Sequence, residues 1–106
     1  MRATRIVMPA EARKGSVVEI KTLINHVMET GYRRDSVGRA IPRDIIQTFT
    51  VTYAGEEVFR AELGPGIAAN PFFAFSTIAT ETGEFVFSWK DLNGEETRET
   101  RRLTVT

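Results

Sequence analysis

The residues best equipped for chemistry crowd into one stretch, residues 25–43. It holds the chain's one histidine, His26, followed by Met28, Glu29, Tyr32, Arg33, Arg34, Asp35, Arg39 and Arg43, with Asp44 just beyond. A guanidinium group grips an anion through paired N–H donors, and Arg and Tyr are both enriched where proteins meet. That points to docking or anion recognition. The same arginines could equally pair with Glu29, Asp35 and Asp44 and close the loop on itself, and the sequence leaves the two readings side by side. Other chemistry is thin. With one His and no Cys, the three or four N, S or O ligands of a zinc site are hard to assemble, and disulfides, thiolate ligands and Cys nucleophiles are excluded. Ser16, Ser36, Ser76 and Ser88 lie outside any G-x-S-x-G elbow. Gly64-Pro65-Gly66 lacks the spacing of a phosphate loop, and its proline removes a backbone donor. The expectation is therefore no metal and no cofactor, and were the chain an enzyme, only His26, Arg33, Arg34 and Asp35 could serve as its site.

Charge narrows the partners further. Fourteen Lys and Arg balance fourteen Asp and Glu, so the chain lacks the field of a general nucleic-acid binder. Arg98, Arg101 and Arg102 interleave with Glu95, Glu96 and Glu99, the pattern of a self-neutralised edge strand. No stretch approaches the ~18 apolar residues of a membrane helix. The opening MRATRIVMPAEARKG is broken by Arg2, Arg5, Pro9 and Glu11, so no export signal is expected, which read by itself suggests the cytoplasm. One other segment stands out. In residues 64–71, GPGIAANP, Ile67, Ala68 and Ala69 lie between prolines and must pack on the core or on a partner.

The elements that must carry these loops alternate with period two. In QTFTVTY, Phe49, Val51 and Tyr53 oppose Thr48, Thr50 and Thr52; in EFVFSW, Phe85, Phe87 and Trp89 share one face. Similar alternation runs through residues 5–8, 17–24, 58–63, 72–78 and 102–105. Ala54-Gly55 and Asn93-Gly94 suit hairpins, the second as a type I′ turn. Helix is confined to one turn at most, within residues 65–71. Residues 1–106 thus read as one all-β domain, an antiparallel immunoglobulin- or fibronectin-III-like β-sandwich of about seven strands. Its core should contain Ile20, Phe49, Val51, Phe59, Phe85, Phe87 and Trp89. A free-standing recognition or adhesion module fits that description.

Three motifs narrow it. His26-Val27-Met28-Glu29-Thr30-Gly31 with Arg33, Asp35, Gly38, Ile41-Pro42-Arg43 and Ile45-Ile46, then Pro65, Ile67-Ala68-Ala69-Asn70-Pro71-Phe72, then Phe87-Ser88-Trp89 with Asp91 and Asn93-Gly94, together closely resemble the Z subunit family of the Sox sulfur-oxidation carrier complex. Val27 and Gly64 stand where many relatives have Pro and Asp. The resemblance implies a non-catalytic subunit. It would pair with a Y-type chain that carries sulfur on a cysteine in a C-terminal arm, and pathway enzymes would visit the pair transiently. It also implies export to the periplasm on the partner's signal. On this reading His26, Met28, Glu29, Tyr32, Arg33, Arg34, Asp35, Arg39, Arg43, Ile67, Asn70 and Phe72 are the candidates for partner binding, with no nucleic acid and no membrane involved.

Overall fold

A β-branched or aromatic residue at every second position favours a pleated surface with one buried face, and the chain follows that pattern. The structure, a computed structural model, describes residues 3–26, 28, 34–39, 45–64 and 70–106. They form eight strands: β1 Thr4–Val7, β2 Glu11–Ala12, β3 Val17–Ile24, β4 Ile46–Tyr53, β5 Glu56–Glu62, β6 Phe72–Ile78, β7 Gly83–Asp91 and β8 Glu96–Val105. A three-stranded sheet runs β1-β3-β6 and a five-stranded sheet runs β2-β8-β7-β4-β5. All pairings are antiparallel except β2 with β8, which is parallel. The expected all-β sandwich is what forms, with one strand more than the periodicity gives. The extra strand is β2, whose two residues are too few to show a period.

Register builds the core. Phe49, Val51 and Tyr53 lie opposite Trp89, Phe87 and Phe85, so the two aromatic faces meet within one layer. Phe49 stacks on Trp89 at 4.8 Å and on Phe73, from the other sheet, at 5.3 Å. Phe59 stacks on Phe75 at 4.6 Å, again across the layers. Ile20, Phe49, Val51, Phe85, Phe87 and Trp89 are fully buried, whereas Phe59, on the edge strand β5, is only partly so. Each such burial stabilises the fold by roughly 1.5–3 kcal/mol. The Tyr53 hydroxyl accepts the N–H groups of Thr80 and Glu81 and donates to the Glu81 carbonyl, tying the end of β4 to the turn before β7.

The hairpin expected at Ala54-Gly55 forms, and it takes the type I′ turn that was expected at Asn93-Gly94 instead. Ala54 and Gly55 both have positive φ, +50° and +85°, the signature of a type I′ turn. At the other hairpin only Gly94 does, at +84°. There the Asp91 N–H donates to the Glu95 carbonyl at 3.0 Å, enclosing a three-residue loop, and Asp91 Oδ1 accepts the N–H groups of Asn93 and Glu95, each at 2.9 Å. That buried carboxylate does the turning work that an Asn-Gly pair performs in a two-residue loop.

Candidate functional site

The chemistry-bearing stretch leaves the sandwich where β3 ends, and its first residues are held rather than displayed. His26 and Met28 are 1% and 4% exposed. His26 Nδ1 accepts the Met28 N–H at 2.9 Å, so that nitrogen acts as the unprotonated acceptor of a neutral ring. The Asn70 side chain accepts the His26 N–H at 2.9 Å, and the Asn70 N–H donates to the His26 carbonyl at 2.6 Å. Met28 Sδ in turn accepts the Ile46 N–H at 3.2 Å. Met28 and Asn70 both sit at positive φ, +51° and +53°. The node thus joins the two segments that interrupt the strand rhythm: the one after β3 and the one before β6. Ordinary residues held in the left-handed region cost energy, and the node's hydrogen bonds offset it.

Further along, residues 34–39 form a tight exposed tip. Asp35 Oδ1 accepts the Val37 and Arg39 N–H groups at 3.0 and 2.9 Å, and the Asp35 N–H reaches the Arg39 carbonyl at 2.8 Å. Arg34 Nη1 donates to the Gly38 carbonyl at 3.0 Å. Asp35 therefore shapes backbone instead of neutralising an arginine. Among the described residues neither Arg34 nor Arg39 forms an ion pair. Both guanidinium groups stand in solvent, beside a 72%-exposed Val37. Glu29, Tyr32, Arg33, Arg43 and Ile67, also expected at the partner site, lie outside the described residues. The node joins His26, Met28 and Asn70, whereas the hydrogen bonds of Arg34, Asp35 and Arg39 run within the tip.

Phe72 opens β6 and is 58% exposed, opposite Leu23 on the solvent side of the small sheet. Val7, Val17 and Ile78 are exposed on that same side, at 52%, 63% and 47%. A shallow groove of about 280 Å³ lies between Arg5, Val7, Lys21, Thr22, Leu23 and Phe72. Of this face the sequence reading named Phe72 and missed Val7, Val17, Leu23 and Ile78. Its signal was partial: the outer side of β3 carries Val17 and Leu23 at its ends with Glu19 and Lys21 between, whereas a strand with one wet face is ordinarily polar there throughout. Among the described residues no three His, Asp or Glu side chains cluster to hold a metal. Among them, too, no helix is long and apolar enough to cross a membrane.

Comparison with known proteins gives this geometry a context. The sequence profile described as "Sulphur oxidation protein SoxZ" matches residues 5–102. No protein of curated function matches significantly. Among solved structures, the sulfur carrier protein SoxY from Chlorobium limicola f thiosulfatophilum superposes with a TM-score of 0.68 at 16% identity, covering 98% of this chain and 79% of that one. A superoxide reductase (neelaredoxin) variant from Ignicoccus hospitalis gives 0.72 at 12% identity over 97% and 79% of the two chains. A putative superoxide reductase from Thermotoga maritima gives 0.72 at 15% identity over 97% and 85%. At these identities the likenesses establish the fold and nothing about activity.

Proposed function

Because the chain belongs to the SoxZ family of sulphur oxidation proteins, we propose that it is the non-catalytic half of a two-chain sulfur carrier. The family match across residues 5–102 carries this reading. The chain contains no cysteine, so the sulfur must travel on the other subunit. That subunit is a Y-type chain, whose C-terminal arm ends near a cysteine bearing the oxidised sulfur. This chain supports the Y subunit and offers docking surface to the enzymes that work on the conjugate. Its place is the periplasm, reached with the exported partner. The superposition with a SoxY structure supports a pair built from two sandwiches of one fold. The buried node of His26, Met28 and Asn70 acts by positioning; the tip with Arg34 and Arg39 is exposed and cationic, suited to acidic surfaces or to the anionic end of the arm.

The test is direct. Equimolar mixing with a Y-type chain should give one species with the summed mass by light scattering, and the isolated chain should not turn over thiosulfate. Two monomer peaks at micromolar concentration would overturn the carrier reading, and thiosulfate turnover by the isolated chain would overturn the non-catalytic one.

A further inference from the structure

Among the described residues five strands leave at least part of an edge open, and four of them are guarded, β2 by being only two residues long. β5 carries Glu56, Glu57, Arg60 and Glu62. β8 carries Glu96, Arg98, Glu99, Arg101 and Arg102, and β2 covers it only at Thr104 and Val105. β1 is four residues long and includes Arg5. Short length and charge are how sheets discourage a foreign strand from pairing. β6, FFAFSTI, has neither guard: seven residues, no charge and no proline. Among the described residues it pairs with β3 alone. The Ala79 N–H bonds the Ser16 carbonyl at 2.9 Å and the Ile24 N–H reaches the Pro71 carbonyl at 3.4 Å. In an antiparallel ladder that alternation commits Phe73, Phe75 and Thr77 to β3 and turns the N–H and C=O groups of Phe72, Ala74, Ser76 and Ile78 outward.

The same strand borders the apolar face. Leu23 and Phe72 sit at one end of that face and Val17 and Ile78 at the other, with the charged Glu19 and Lys21 between them on β3. Neither end alone approaches the ~800 Å² that one partner gives to a stable interface, so an occupant must also run along the edge of β6. Arg5 and Lys21 flank the groove beside Leu23 and Phe72 and form no ion pair among the described residues. The occupant therefore brings an apolar strand and a carboxylate. A second copy of this chain aligning its own β6 would bring an edge without any carboxylate.

We infer that the Y-type partner adds a strand to the open edge of β6 and seats an apolar side chain between Leu23 and Phe72, with a carboxylate facing Arg5 and Lys21. This names the docking face for the carrier pair and rests on the carrier reading above. The experiment measures association of the Y-type chain with wild type, Phe72→Glu, Ser76→Pro and, on the opposite sheet, Thr50→Glu. Proline at position 76 removes an outward N–H and leaves the ladder to β3 intact. Both β6 variants should bind about a hundredfold more weakly, while Thr50→Glu binds as wild type does. Amide exchange on the wild-type complex, which needs no variant to fold, should show protection at Ala74, Ser76 and Ile78. Wild-type binding with unaffected β6 variants and no such protection would overturn the inference and leave the carrier reading intact. Failure of wild type to bind would overturn both. Self-association of the isolated chain that both β6 variants abolish would assign the edge to a second copy instead.

Discussion

Asn70 holds His26 by both of its backbone groups while sitting at a φ of +53°. Asn70→Gly keeps that conformation and removes the side-chain acceptor, leaving a partly buried N–H without it. The expected loss is about 1–3 kcal/mol. Asn70→Ala should lose about 1 kcal/mol more, since an L side chain other than Asn or Asp is strained there. Denaturant melts of the two variants measure both terms, and equal stabilities for Gly and Ala would show that the backbone strain is absent. At this scale the sequence was a partial guide. It named His26, Met28 and Asn70, because unusual residue types stand out in any list. It did not show that they are buried and bonded to one another, since Asn70 is forty-four positions from His26 and nothing local announces the contact. Asp35 misled for a related reason: a carboxylate among arginines reads as a counter-ion, yet the nearest competing donors are its own backbone N–H groups, which are already in place.

The centres of β4 and β7 were legible because their alternation is strict and their buried faces are aromatic, while β7 runs on through Lys90 to Asp91 beyond the alternating stretch. Phe87 is completely buried between Phe85 and Trp89. Phe87→Ala should cost about 3–5 kcal/mol in denaturant melts, and a loss near zero would mean the face is wrongly assigned. Hairpins were harder, because a dipeptide suggests a turn while the flanking register selects its length. Asn93-Gly94 sits in a three-residue loop because Asp91 caps it; Ala54-Gly55 takes the two-residue loop although alanine is unfavourable at its first position. Ala54→Asn, which accepts positive φ, should therefore raise stability by about 0.5–1 kcal/mol. A lower melting temperature for that variant would show that the hairpin tolerates alanine for a reason outside backbone conformation.

Across the molecule the charges sum to zero, yet they are not evenly placed. The tip at residues 34–39 presents Arg34 and Arg39 without ion-pair partners among the described residues. If the tip steers pathway enzymes to the carrier, the Arg34→Ala, Arg39→Ala double variant should keep its melting temperature and associate more slowly with them. The difference should shrink as salt rises, because exposed charge acts on encounter and is screened beyond about 10 Å at 0.1 M. An on-rate and salt slope equal to wild type would make the tip a structural element. The two-layer architecture followed from pattern alone, but which outer face stays open did not. Alternation separates the two sides of a strand without saying what lies against each, and the outer side of β3 mixes Val17 and Leu23 with Glu19 and Lys21.

The unguarded β6 also sets a condition on how the chain can be made. A charge-free strand whose outward amides await a partner pairs with any extended backbone that arrives first, including that of a half-folded sibling. Surplus chain is then a seed for precipitation, whereas covered chain is inert. If a partner covers that strand, as inferred above, synthesis of the two chains in step would keep the uncovered form from accumulating.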